Sequence, residues 1–278
     1  MRVTRARLQA DATGPEKLSA SLRRHRYCFE TFMHEPLCFK KGTLTTPGGT
    51  SLDECVVNTG RYTFEYTFLG DATDAFLPLL ASEGGYNWVL TTATLDRGLE
   101  INFGGLKDGH PRHHIPSTED WFARILFITD DASGTDAFFG FRKVAAYAAT
   151  LTEYTDVVGL RIIGNSASTD ADINVITNLN NAGSTDYTST ASGVTGLEDA
   201  TAIELEVRSV GGKAFEYVNS VQVDRIAYTY DTDDVMTPVF RLLQTTDLAT
   251  QFKTLAFEAG PLADRTDATL LSLAGSTI

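Results

Sequence analysis

Cysteine and long apolar runs are scarce in this chain, and each absence excludes a class of protein. The 278 residues include only Cys28, Cys38 and Cys55. Three clustered cysteines give neither a disulfide framework nor a paired C-x-x-C metal motif. No stretch approaches the roughly 18 consecutive apolar residues of a membrane helix, and the N-terminus lacks the apolar run of a secretory signal. We therefore expect a protein made in a reducing cytoplasm, without a membrane span.

Positive charge is also scarce, except at one end. The chain has 23 Lys and Arg against 36 Asp and Glu, a formal net charge of −13. Such a balance argues against a nucleic-acid partner. Residues 1–28, however, carry seven Lys or Arg against two acidic residues. This basic arm admits two interpretations: a solvated chain end, or a set of Arg forks that dock on the carboxylates of an acidic partner.

Aromatic residues directly follow the basic arm and favour the second interpretation. Phe29, Phe32 and Phe39 are too apolar for a free tail, so they must pack on this chain's body or on a neighbour. The candidate contact residues for a partner are Arg5, Arg7, Arg23, Arg24, Arg26, Phe29 and Phe32.

Alternating strands with tight turns dominate the rest of the chain. Residues 202–208 alternate apolar and charged side chains, which is typical of a strand with one buried and one solvated face. Gly211-Gly212 and Asn219-Ser220 predict two reversals, so residues 201–223 form a β-meander. Similar strands recur at roughly 10–15-residue spacing with almost no helix. The sequence predicts an all-β, two-sheet antiparallel sandwich over residues 51–260, preceded by an extended or short-helical arm (1–50) and followed by a tail (261–278).

Large sandwiches include glycosidases, which need two catalytic carboxylates across a cleft. Glu204 and Glu206 share one strand face, and we interpret them as a solvated face instead. The sequence also contains no nucleophile elbow, phosphate loop or dinucleotide fingerprint. We therefore expect no catalytic residues, no enzyme activity and no cofactor.

Three clusters resemble metal sites only in part. Residues 170–174 and 231–234 begin like calcium loops but lack the glycine at the sixth position, so we interpret both as acidic turns. A looser calcium site built on two carboxylates stays open for these turns. His110, His113 and His114 have no cysteine partner nearby, and we interpret them as part of a polar loop that is exposed to solvent. No metal is therefore predicted.

Several phrases of the sequence together resemble a known family. They are the strand and turn patterns of residues 121–125, 137–143, 156–161, 203–223 and 255–260. The chain resembles phage virion proteins built on the concanavalin-like (LamG-like) jelly roll. The resemblance implies a jelly-roll sandwich and a structural role as a head decoration or cement protein.

The resemblance also implies partners and a location. The protein would bind the major capsid protein through its arm and sandwich edges, as a homotrimer on the capsid surface. The alternative is a lectin-like carbohydrate-binding module of a tail or head fibre, with an aromatic groove that uses Trp88 or Tyr86. A lectin's calcium-binding Asp and Asn find no residue-by-residue match in this sequence.

Overall fold

The structure is a computed structural model. It describes residues 26–45, 51–59, 62–69, 78–82, 84–90, 98–104, 112–129, 135–145, 147–148, 150–164, 170–179, 188–223, 228–244 and 250–273.

Seventeen strands make up most of these described residues. In chain order they are β1 (Cys28–Glu30), β2 (Leu37–Thr45), β3 (Ser51–Asn58), β4 (Thr63–Leu69), β5 (Leu79–Leu80), β6 (Tyr86–Leu90), β7 (Gly98–Asn102), β8 (Trp121–Thr129), β9 (Thr135–Lys143), β10 (Val157–Gly164), β11 (Asp170–Asn178), β12 (Thr188–Glu198), β13 (Ala202–Val210), β14 (Lys213–Val218), β15 (Val221–Gln222), β16 (Met236–Gln244) and β17 (Thr250–Pro261).

Helical structure is short in the part of the chain that the structure describes. Two 3-10 turns span Leu151–Glu153 and Leu262–Asp264, and one helix, α1, spans Leu270–Leu273. Among the residues that the structure describes, none of the helices is long and apolar enough to cross a membrane.

The strands form two sheets in which each strand pair is antiparallel. The eight-stranded sheet has the order β15-β14-β13-β8-β17-β6-β5, with β1 also paired to β17. The nine-stranded sheet has the order β12-β11-β10-β9-β16-β7-β4-β3-β2. The predicted two-sheet antiparallel jelly-roll sandwich is therefore confirmed.

The core lies between the sheets because successive side chains of a strand point to opposite faces. In β8, Ala123, Ile125 and Phe127 face the core, whereas Leu126 and Ile128 belong to a separate apolar cluster. Phe103 and Phe257 stack across the two sheets with ring centroids 3.6 Å apart. Each such buried aromatic side chain contributes roughly 1.5–3 kcal/mol to folding.

The predicted meander is confirmed at both reversals. Gly211 and Gly212, between β13 and β14, have φ values of 56° and 73°. Asn219 and Ser220, between β14 and β15, have φ values of 48° and 67°. Two consecutive left-handed residues match the twist of a tight hairpin, which explains why glycine and asparagine occur at these turns.

The solvated face predicted for β13 is wrong. Glu204 is 3% exposed and Glu206 is fully buried, because residues 262–273 cross the outer face of the eight-stranded sheet. The Leu270 amide donates to Glu204 Oε2 at 2.7 Å, and Arg265 donates to both carboxylate oxygens of Glu206 at 2.6 and 2.8 Å. Residues 262–273 therefore take the place of water on the outer face of β13.

The chain segment just after the basic arm is part of the sandwich. β1 pairs with residues 257–259 of β17, and β2 pairs with β3 along its whole length. Residues 28–45, which the sequence assigned to the arm, thus add a strand to each sheet. The division into arm, sandwich and tail otherwise stays a prediction.

Candidate binding cleft on the nine-stranded sheet

A row of three side chains crosses the outer face of the nine-stranded sheet. Phe138 in β9 is the register partner of Arg161 in β10 on one side and of Arg241 in β16 on the other. Neighbouring strands lie about 4.8 Å apart, so the Cα atoms of these three residues span about 10 Å across the sheet. Phe138 and Arg241 are 1% and 2% exposed, whereas Arg161 is partly exposed.

Two glycines make room for the ring of Phe138. Gly140 and Gly159 are register partners on the same outer face, one step along from Phe138. A Cβ at Gly140 would lie 2.7 Å from the Gly159 Cα and 3.0 Å from the Phe138 Cζ. A Cβ at Gly159 would lie 2.9 Å from the same ring atom. The missing side chains let the ring lie along the sheet as a floor.

A cleft of about 240 Å³ opens above this floor. Its lining comprises Asp136, Phe138, Thr150, Leu151, Thr152, Arg161 and Arg241. Arg161 binds Asp136 through two hydrogen bonds of 2.6 Å each. Two guanidinium groups against one carboxylate leave the lining with a net positive charge. The hydroxyls of Thr150 and Thr152, 2.7 Å apart, add donors and acceptors at the rim.

The segment of residues 150–156, here called the rim segment, is held in place from both sides. Asn178 donates to the Tyr154 carbonyl at 2.7 Å and to the Thr152 carbonyl at 3.3 Å. The Tyr154 hydroxyl donates to Glu100 Oε2 at 2.7 Å, beneath the segment. Arg142 donates to Glu100 Oε1 at 3.0 and 3.2 Å, so both oxygens of this buried carboxylate accept hydrogen bonds.

Electrostatics keeps the anchoring groups in fixed protonation states. Burial, followed by the nearby Glu100 carboxylate, raises the pKa of Tyr154 well above its ordinary value, so its hydroxyl remains a donor. Burial lowers the pKa of Arg142, but the Glu100 carboxylate more than offsets that effect and the net pKa is raised. Tyr154 and Arg142 therefore both keep their protons near neutral pH.

Of the predicted partner-contact residues, three lie in the described part of the chain. Arg26 donates to Glu119 at 2.6 Å and lies 4.5 Å above the Trp121 ring. Phe29 packs partly buried against the apolar cluster on the outer face of the eight-stranded sheet. Phe32 is 3% exposed and contacts the rings of Phe64 and Tyr86 in the core. The other four, Arg5, Arg7, Arg23 and Arg24, lie outside the described residues.

Arg26, Phe29 and Phe32 are spread over the eight-stranded sheet and the core, away from the cleft. Their role in capsid contact stays a prediction.

The aromatic groove predicted around Trp88 or Tyr86 is wrong. Both side chains point into the core and are 2% and 0% exposed. The Trp88 indole donates to Thr254 at 3.1 Å, and the Tyr86 hydroxyl donates to the His34 carbonyl at 2.9 Å. Their rings belong to the core cluster between the two sheets, away from the outer faces on which a ligand could bind.

The solvent loop predicted around the histidines is also wrong where the structure describes it. His113 and His114 are 7% and 1% exposed. His114 forms an isolated bridge with Met236 and stacks on Trp121 with ring centroids 5.2 Å apart. His110 lies outside the described residues.

The lining residues of the cleft were missed by sequence reasoning. One local signal was present: Arg161 interrupts the apolar run of β10, two residues after Gly159. A charged residue and a glycine inside an apolar strand indicate a position that does not serve core packing alone, such as one where a ligand or another backbone approaches closely. The pairing of Arg161 with Phe138 and Arg241 depends on strand register, which no local pattern gives.

Comparison with known proteins gives similar structures at low sequence identity. The sequence matches no protein-family model and no curated protein. Among solved structures, the carbohydrate recognition domain of Emp47p is 11% identical at a TM-score of 0.46, over 71% of this chain and 88% of that one. An alginate lyase from Klebsiella pneumoniae is 10% identical at 0.46, over 70% and 87%. The binding domain of botulinum neurotoxin serotype D/C is 12% identical at 0.44, over 85% and 52%.

These similarities concern the fold alone: a concanavalin-like jelly roll that carbohydrate-binding domains and polysaccharide lyases share. The expectation that the protein is no enzyme is corrected by this comparison, since several of the similar structures are alginate lyases. The virion origin implied by the sequence resemblance stays a prediction.

Proposed function

We propose that this protein is a lectin-like module that binds an acidic saccharide in the cleft on the nine-stranded sheet. The observation that carries the proposal is the row Arg161–Phe138–Arg241. The apolar face of a sugar ring would pack on the apolar part of the lining, Phe138 and Leu151, and its hydroxyls would exchange hydrogen bonds with Thr150 and Thr152. Ligand sites of this kind combine apolar walls with a few placed polar groups.

The charge of the lining favours a carboxylate-bearing sugar over a neutral one. Guanidinium groups bind carboxylates through paired, charge-assisted hydrogen bonds. Arg161 pairs with Asp136, and Arg241 donates to the Ala148 carbonyl at 3.1 Å. Arg241 is the more buried of the two, so water screens its charge less, and it is the candidate for the ligand's carboxylate. The cavity of about 240 Å³ lies below the roughly 300–1,000 Å³ of drug-sized sites, which suits one or two sugar units.

The experiment is calorimetric titration of the full chain with short uronate oligosaccharides and, in parallel, with neutral glucans of the same length. We expect the uronates to bind and the neutral glucans to bind at least tenfold more weakly, a difference of about 1.4 kcal/mol. Arg241→Met should abolish this preference. The matched control is Arg208→Met, since Arg208 stacks on Tyr217 on the other sheet, with its guanidinium carbon 3.9 Å from the ring centroid.

Two results would contradict the proposal: no heat with any saccharide, or equal loss of binding in both arginine variants. Absorbance of an unsaturated product in the same uronate samples would reveal whether the bound chain is also cleaved.

A further inference from the structure

Three carboxylates converge where strands β9, β10 and β16 begin or end on the nine-stranded sheet. Asp156 immediately precedes β10, and Asp231 and Asp234 lie in the turn before β16. One carboxylate oxygen of each lies within 4.8 Å of the others. These three residues are here called the Asp156 cluster.

Within the described part of the chain, the three carboxylates of the cluster face one cation. Lys143 Nζ lies 3.3 Å from Asp156 Oδ2 and also pairs with Asp234. Asp156 is fully buried and Asp234 is 4% exposed, so water screens little of their charge. Buried carboxylates are costly unless they are paired or coordinate a metal.

One carboxylate oxygen of the cluster is buried and unsatisfied among the described residues. Asp234 Oδ1 pairs with Lys143, whereas Asp234 Oδ2 is buried and has no hydrogen-bond partner within the described part of the chain. Buried polar atoms are almost always satisfied by protein, water or an ion. A carboxylate oxygen left in this state, beside two further carboxylates, has the chemistry of a cation ligand.

We propose that the Asp156 cluster binds a calcium ion. The donors are oxygen only, which suits a hard cation and disfavours zinc, since zinc prefers nitrogen and sulfur. Calcium accepts six to eight oxygens in flexible geometry, so three carboxylates leave places for carbonyls or water. Lys143 is the competing cation: its side chain is 37% exposed on a flexible stem and can move out into solvent.

The test is titration of the full chain with CaCl₂ in the absence of any saccharide. We expect one ion per chain, and affinity reduced by about tenfold or more in Asp234→Asn, because each lost carboxylate weakens such sites. The matched control is Asp172→Asn, since Asp172 is exposed on β11 and lies outside the cluster. This control should bind like the unchanged protein.

A second variant separates a calcium site from a permanent internal ion pair. Lys143→Met removes the competing ammonium, so calcium should bind more tightly than to the unchanged protein. Excess calcium should then raise the unfolding temperature of this variant by several degrees. If millimolar calcium gives no heat and does not restore the stability of Lys143→Met, Lys143 is the permanent counter-ion and the proposal is wrong. A stronger response to magnesium than to calcium would overturn the assignment to calcium.

The cluster is connected to the cleft through the rim segment. Asp156 is the last residue of that segment, and its backbone carbonyl accepts a hydrogen bond from the backbone amide of Lys143 at 2.9 Å. A bound ion would fix the end of the segment that carries Thr150 and Thr152, so calcium should raise the affinity for a uronate. This last step rests on the proposed function. Since ion binding is measured without saccharide, failure of one hypothesis is distinguishable from failure of the other.

Discussion

Two glycines set the shape of the cleft floor, and one of them offers a sharp test at the scale of a residue. A Cβ at Gly140 would meet the backbone of Gly159 and the ring of Phe138. We expect Gly140→Ala to lower the free energy of unfolding by about 3 kcal/mol, the upper part of the usual range for overpacking, and to weaken saccharide binding. Denaturant unfolding measures the first effect and calorimetry the second.

The control for this variant is Gly211→Ala. A Cβ at Gly211 meets nothing within 4 Å, and only its φ of 56° is unfavourable. The expected cost is about 1–2 kcal/mol, with binding unchanged. Equal effects of the two substitutions on binding would show that the cleft floor does not depend on close packing at Gly140.

His114 makes the stability of the fold depend on pH. Burial, then the positive charge of Arg26, then His113 hold the pKa of His114 well below its ordinary value. The folded protein therefore keeps this ring neutral, while the unfolded chain takes up a proton below about pH 6.5. The stability from the depressed pKa is present above pH 6.5 and is lost as the pH falls below it.

We expect the free energy of unfolding to decrease by up to about 1.4 kcal/mol for each pH unit below 6.5 from this group. His114→Phe preserves the stacking on Trp121 and removes the titration. Unfolding titrations between pH 5 and pH 8 should give a smaller pH dependence for this variant than for the unchanged protein. Identical slopes would assign the pH dependence to other groups.

At the scale of an element, residues 262–273 act as a cover over the eight-stranded sheet. Beneath them, Arg124 is fully buried and donates to Glu258 at 2.6 Å and to Glu204 at 3.3 Å. Arg124 also donates to the Thr266 hydroxyl at 2.6 Å, so the cover itself completes the network. A buried charge network of this kind is stable only while all its members are satisfied.

Leucines at two neighbouring positions of α1 test the cover. Leu270 is fully buried and Leu271 is 44% exposed. We expect Leu270→Ala to lower the free energy of unfolding by about 2–3 kcal/mol, because it removes a buried side chain and loosens the segment. Leu271→Ala should cost less than about 0.5 kcal/mol. Equal costs in denaturant unfolding would mean that the segment does not pack as described.

Local sequence patterns predicted the strands and turns better than they predicted which side chains are buried. The meander at residues 201–223 was predictable because alternation and turn chemistry are both local. The burial of Glu204 and Glu206 was not, since the residues that cover them lie some 60 positions later. β12 was missed because its sequence is rich in Thr, Ser and Gly, and only its pairing with β11 makes it a strand. The cleft depends on the register of three strands and could not be derived from any one of them.

At the scale of the whole molecule, the predicted capsid contact can be tested on the chain's first 25 residues. Among the described residues the strands begin at Cys28, so a chain lacking residues 1–25 retains every strand described here. We expect it to unfold at about the same temperature as the full chain but to lose co-sedimentation with phage heads. Unchanged occupancy on the heads would remove the basic arm from any capsid contact.

The strands that arrive last in the chain occupy inner positions in both sheets. β16 lies between β9 and β7, and β17 lies between β8 and β6. In a nascent chain that ends before residue 236, each of the two sheets is therefore divided into two separate parts. The inner edge strands of these parts are unpaired and open to aggregation. Because such long-range closures are slow, we expect the sandwich to fold only after β16 and β17 have been synthesised and to be sensitive to chaperone supply.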